Sequence, residues 1–194
     1  MDESVIRALA RWPNVPAVFG WMSLNARGQW LIKGEQITNQ QAKRFINRNY
    51  QCDAQGRWYF QNGPQQVFVL LHETPWILHL GLEGAFAYTH TGEAVSEITR
   101  CFMDDDGGVL LDFQHGIGRV DDRDLGILAR ALCGPAGEQL HEDIIAERIE
   151  NLVSGEVVEL ALLLDEQLLP LTFVRKAAIA EQFNFVPDPR LDPQ

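Results

Sequence analysis

A chain of 194 residues that is 46% hydrophobic can bury a substantial core, as one large domain or two small lobes, which excludes disorder over most of its length. No run reaches the roughly 18 to 20 apolar residues that span a bilayer, and the acidic start MDESVIRALARWP lacks a signal peptide's basic and apolar regions, so the expected compartment is the cytoplasm. The net charge of -11 lies in the second half: residues 1–98 carry eight Lys or Arg against eight Asp or Glu, and residues 99–194 carry eight against nineteen, a surface that disfavours nucleic acid and anionic membranes.

In chain order, Asp2 to Arg11 predicts a short helix, with acids in its first turn, Val5, Ile6, Leu9 and Trp12 at helical spacing, and Pro13 as its stop. Val18 to Lys33 predicts a hairpin turning at NARG. Thr38 opens TNQQ, a capping-box pattern ahead of a helix that buries Ala42, Phe45, Ile46 and Tyr50. Trp58 to Gln61 and Gln66 to Leu71 flank Asn62-Gly63-Pro64 as a second hairpin, and TPWILHLGL and AFAYTHTGEAV add strands to a meander.

The pattern restarts at Ile98. ITRCFM and VLLDF are strands around DDDGG, which is read as a solvated tip with a flexible glycine pair. Ile117 leads into a helix capped by Asp121 and stopped at Gly134-Pro135. An inserted helix, about Glu138 to Leu152, precedes a hairpin turning at Asp165-Glu166-Gln167, and the tail FNFVPDPRLDPQ is expected to strap across the surface. The order hairpin, G-x-x-I, helix, hairpin therefore occurs twice, over Gln29 to Leu71 and Val109 to Val174, with Ile37 matched to Ile117. The expected class is α+β, mainly antiparallel sheets with packed helices, in two lobes: 1–97, tryptophan-rich and neutral, and 98–194, acidic.

Templates for serine hydrolases, P-loop enzymes, dinucleotide folds, zinc proteases and calcium loops are all missing, so no cofactor is expected. Cys52, Cys101 and Cys133 are odd in number and unpaired by motif, which predicts reduced thiols. Two sets of polar residues stay open. Asp112, His115 and His141 carry nitrogen and oxygen donors suited to a metal or a hydrolytic water, the basis of a metal-assisted hydrolase or lyase reading. Trp30, Trp58 and Trp76, with His72, Asp112 and His115, are candidates for a ligand-binding surface, because indole joins a large apolar area to one donor. Lys43, Arg44 and Arg48 are a basic trio on one helix, the best candidate patch for nucleic acid.

At Gly28, Trp30, Gly34, Ile37, Gly56, Trp58, Pro64, Glu73, Pro75 and Trp76 the sequence resembles the bacterial domain-of-unknown-function family numbered 1285, or a neighbouring uncharacterised family, over residues 24–80. The turn Asn62-Gly63-Pro64 and the second half depart from that pattern. The resemblance implies an α+β fold with repeated motifs, a signalling or ligand-sensing role and no catalytic residues to carry over. Together these readings point to a non-catalytic binding or regulatory module. Its expected partner is a protein, a small cationic or amphipathic ligand or, through the inserted helix, a second copy.

Overall fold

One turn recurs along this chain. In Asn25-Ala26-Arg27-Gly28, Asp53-Ala54-Gln55-Gly56, Thr89-His90-Thr91-Gly92, Asp104-Asp105-Asp106-Gly107 and Gly134-Pro135-Ala136-Gly137, the first residue donates its N–H to the carbonyl four residues on. The glycine donates its N–H back to the first carbonyl. Each closing glycine has a positive φ, between 71° and 94°, which a side chain would oppose. Asn25, Asp53 and Asp104 tighten their turns further, each side chain accepting the N–H groups two and four residues ahead.

The computed structural model describes every residue except 13, 82–86, 165 and 192–194. The helix stop at Pro13, the first residues of the AFAYT strand and Asp165 of the last hairpin turn fall outside the described residues. The chain forms two units, Met1–Pro75 with Asn184–Gln194, and Trp76–Phe183.

The first unit contains α1 (Glu3–Arg11), β1 (Val18–Leu24), β2 (Trp30–Ile32), β3 (Glu35–Gln36), α2 (Gln40–Arg48), β4 (Tyr50–Cys52), β5 (Trp58–Asn62) and β6 (Gln65–Leu71). Its sheet is ordered β3-β2-β1-β6-β5-β4. Its core includes Met22, Leu24, Trp30, Ile46, Phe68 and Val69, none more than 4% exposed. Two expectations are corrected. The cap of α2 is Asn39, one residue after Thr38, because the Asn39 carboxamide reaches both the Gln41 and the Ala42 N–H groups. The strands from Trp58 onward do not run as one meander: β5 and β6 form the expected hairpin, but β6 next pairs in parallel with β1, and the Trp76 strand belongs to the other sheet.

The C-terminal segment joins this unit as a strap. Val186 donates to the Gly56 carbonyl, Leu71 donates to the Pro187 carbonyl, and Phe185 is 7% exposed. A Cβ on Gly56, at φ +78°, would lie 2.5 Å from the Asn184 carbonyl oxygen. Gly56→Ala is thus expected to destabilise the fold by about 2 to 4 kcal/mol, combining left-handed strain with overpacking. Urea denaturation checks this, and a loss below about 0.5 kcal/mol would refute the tight seat of the strap.

The second unit contains β7 (Trp76–Leu80), β8 (Ala87–Thr89), β9 (Arg100–Asp104), β10 (Val109–Phe113), β11 (Gly116–Val120), α3 (Leu125–Leu128), β12 (Leu132–Cys133), α4 (Glu142–Val153), β13 (Ala161–Leu164), β14 (Gln167–Val174) and α5 (Ile179–Gln182). Single 3₁₀ turns flank α3, at Asp122–Asp124 and Ala129–Ala131. The sheet is ordered β12-β13-β14-β9-β10-β11-β7-β8. Leu78, Leu110, Leu111 and Leu162 are its most deeply buried leucines, none above 1% exposed.

Several expectations shift here. Ile117 lies inside β11, paired with Asp112, and does not lead into a helix. Counted from the two-residue turns Lys33-Gly34 and Gln114-His115, Ile37 is the third residue and Ile117 the second, so the two stand on opposite sides of their strands. The inserted helix starts at Glu142, where His141 accepts the Asp143 N–H. The DDDGG tip is solvated at Asp105 and Asp106 but not at Asp104. Asp104 is fully buried and ion-paired with Arg119, Asp105 accepts the Lys176 N–H at 2.7 Å, and Asp106 pairs with Lys176 Nζ at 2.9 Å.

Across both sheets, nine of the twelve strand pairs between described residues are antiparallel. The three parallel pairs are β1–β6, β11–β7 and β14–β9. The class is α+β, with mixed sheets. Six strands of the second sheet run β11-β10-β9-β14-β13-β12, the same order and the same senses as β3-β2-β1-β6-β5-β4 in the first. The boundary drawn at 97/98, where the pattern restarts, lies within the second unit. By unit, the charge contrast is sharper: nine Lys or Arg against seven Asp or Glu in the first (net +2), and seven against twenty in the second (net -13).

Candidate functional site

The second unit holds an apolar pocket of about 190 Å³ that is partly open to solvent. Its floor comes from four strands whose register puts the right side chains on one face. Val109 pairs opposite Met103, Phe173 also pairs opposite Met103, and Leu171 lies two residues before Phe173 on the same face. Leu162 pairs opposite Leu169 and so shares that face. Met103, Val109, Leu162 and Leu171 thus form the floor, and Gly107, from the β9–β10 turn, lies at its edge. The roof is Leu125, Leu128 and Ala129 from α3 and the turn after it, Leu132 from β12 and Ile149 from α4.

The space arises because the roof is built from short, small pieces. α3 is a single turn containing Gly126, and the 3₁₀ turn after it begins and ends with alanine. Every lining side chain is apolar. A closed cavity of about 150 Å³ with a comparable lining binds benzene, and the lining of this pocket suits the same kind of apolar guest.

The start of the roof is fixed to β7. Asp121 is fully buried, its N–H donates to the Leu78 carbonyl, and its side chain accepts the Arg123 N–H and the Arg123 guanidinium. The guanidinium holds the Asp121 carboxyl well below the usual carboxylate range. His79 Nδ1 lies 3.4 Å from the same carboxylate, and Asp124 accepts the Leu80 N–H. Acid that protonates Asp121 therefore loosens the cap of the roof.

The residues singled out from sequence do not share this cavity. In the first unit, Trp30 is 2% exposed, donates to Asn47 and packs its edge on Tyr50, whose ring also lies 4.8 Å from Trp58. Trp30 is core, and Trp58 is half-buried beside it. Trp12 and Trp21 are half exposed, with Arg11 and Lys33 over their rings. In the second unit, Trp76 and His115 do come together. Trp76 Nε1 donates to the His115 carbonyl, and its ring neighbours Phe113, His90 and His115. His115 pairs with Glu93 at 3.1 Å.

Asp112 is bound to Arg100 at 2.6 Å, His72 is exposed at the end of its strand, and His141 caps α4. Among the described residues, no group of three or more His, Cys, Asp or Glu is placed to hold a metal ion, so Asp112, His115 and His141 are not gathered into a centre. Arg48 of the basic trio is held by Asp2 at 3.0 Å. All three cysteines are free thiols, and burial pushes the Cys101 thiol up to about 12. The sequence signal for the cavity was the run of small residues at Gly126, Ala129 and Ala131 facing strands of large aliphatics.

A family model, DUF2944, described as a protein of unknown function (DUF2946), matches residues 1–190. The chain belongs to this family. The DUF2944 chain is similar in structure to a DUF1285 family protein from Silicibacter pomeroyi DSS-3, with 14% identity, 86% of this chain and 87% of that chain covered, and a TM-score of 0.51. A DUF1285 family protein from Shewanella baltica OS155 is similar at 16% identity, with 57% of this chain and 91% of that chain covered and a TM-score of 0.43. The likeness is one of fold, carried by the first. It agrees with the resemblance to family 1285 read from residues 24–80. Among curated proteins, none matches. No helix among the described residues is long and apolar enough to cross a membrane.

Proposed function

We propose that this DUF2944 chain is a non-catalytic binding module of the bacterial cytoplasm, whose acidic unit takes up a small apolar molecule and uses it as a regulatory signal. The apolar cavity of about 190 Å³ carries this reading. Its apolar lining stays partly exposed to solvent, and an apolar guest would cover it and supply the missing contacts. The free thiols suit a reducing compartment. The shared strand order of the two sheets supports reading the chain as one unit used twice, with the helix α4 inserted only in the second copy, where it forms part of the roof. The charge contrast between the units suits a cationic protein partner on the acidic side.

Thermal denaturation with benzene and with 1-octanol tests the reading, because a guest that binds only the folded state raises the melting temperature by mass action. The expected result is a saturable rise in the native protein that is lost in Ile149→Phe, a plug placed on a half-buried roof residue. Failure of both probes to raise the melting temperature would refute it.

A further inference from the structure

This inference rests on the cavity reading and concerns the polar end of its guest. Outside the roof lies a groove of about 440 Å³, lined in part by Arg130, Cys133, Gln139 and Leu163. Groove and cavity share Leu128 and Leu132, so the segment from α3 through the Ala129–Ala131 turn is the wall between them. That wall is two single turns of helix. Such short elements hold few intrahelical hydrogen bonds and open at low cost.

Among the described residues, Arg130 is the one cationic side chain lining the groove, and it is exposed. It makes no hydrogen bond or ion pair with any described residue, unlike Arg100, Arg119 and Arg123 of the same unit, which are each held by an aspartate. The nearest acidic residue of the groove's own loop, Glu138, is turned back to accept the Ala136 N–H. A planar guanidinium with free donors matches a carboxylate in two-point geometry. The net charge of the unit acts at longer range and is screened within about 8 Å at physiological salt.

We infer that the guest is an amphiphilic carboxylate, its apolar body in the cavity and its carboxylate on Arg130 in the groove, admitted past Leu128 and Leu132.

Calorimetric titration with three probes of equal chain length, octanoate, 1-octanol and octylamine, tests this on the native protein and on Arg130→Gln. Octanoate is expected to bind about tenfold tighter than 1-octanol, the size of a charge-assisted hydrogen bond. That preference is expected to disappear in Arg130→Gln while 1-octanol affinity stays unchanged. Equal binding of octanoate and 1-octanol, or tightest binding of octylamine, would overturn the carboxylate assignment and leave the cavity reading standing. Binding of none of the three would overturn both. A preference for octanoate that survives in Arg130→Gln would overturn the role of Arg130.

Discussion

Replacing Asp104 with alanine is expected to cost about 3 to 5 kcal/mol of folding stability, the loss typical of stripping one partner from a buried ion pair. The Asp104 side chain has three duties at a point with no solvent exposure. Its Oδ1 accepts the Asp106 N–H at 3.0 Å and the Gly108 N–H at 2.7 Å, and its Oδ2 neutralises the largely buried Arg119. Alanine leaves two N–H groups without that acceptor and a guanidinium without its counter-charge. The matched control is Asp105→Ala in the same turn, which removes only an exposed acceptor for the Lys176 N–H and is expected to cost about 1 kcal/mol. Urea denaturation of both variants makes the comparison. Equal losses would show that the buried pair is not what anchors this hairpin. Adding Arg119→Met to Asp104→Ala is expected to restore part of the loss, since the unpaired charge then leaves the core.

The second large effect is in pH. His90 sits beside Trp76, its Nδ1 receives the Ile77 N–H, and its Nε2 is out of contact with solvent. Burial, with a smaller contribution from the charge of His79, pushes the His90 imidazole down to about 3 from an ordinary value of 6.5. Below pH 6.5 the unfolded chain binds a proton at this residue that the folded chain refuses. Stability therefore falls as pH drops from 6.5 toward about 3, by up to about 1.4 kcal/mol per pH unit from this group alone. Carboxylates add their own loss only at the acid end of that range. The window from pH 6.5 to 5 thus isolates the histidine. Urea denaturation at half-unit steps is expected to show this slope in the native protein and a much flatter line in His90→Gln, which keeps an acceptor for Ile77. The same slope in both proteins would contradict the assignment.

The local chemistry of the chain was readable, and its long-range pairing was not. NARG, DAQG, THTG and DDDG each spell a turn that needs a glycine at positive φ, and the strands flanking them follow from apolar runs. The cap of α2 was readable to within a residue: Thr38 and Asn39 carry similar acceptors, and only the backbone geometry at the helix start chooses between them. The parallel pairing of β1 with β6 left no local trace, because strands that return through a helix and a hairpin look the same one at a time. DDDGG reads as an exposed tip by composition, which holds for Asp105 and Asp106 but not for Asp104. The partner that buries Asp104 comes from β11, fifteen residues away.

The candidate site was less legible for a related reason. Indoles and histidines draw attention by their chemistry, yet Trp30 and Trp58 are consumed in packing around Tyr50, and Asp112 in an ion pair with Arg100. A cavity is a property of atoms that are missing between segments far apart in sequence, such as Met103 and Leu162. No single stretch encodes it. The charge contrast was visible in outline but was assigned to halves of the chain, whereas the C-terminal strap returns Arg190 and Asp188 to the first unit.

The most direct test of the central claim is a titration of 1-octanol into protein carrying carbon-13 at Leu, Val and Ile methyl groups, followed by nuclear magnetic resonance. Binding in the cavity is expected to produce saturable shifts at Val109, Leu128, Ile149, Leu162 and Leu171, with Leu24 and Leu71 of the first unit unmoved. Shifts absent from the lining methyls, or spread without saturation over both units, would contradict the claim that this protein holds a ligand in its apolar cavity.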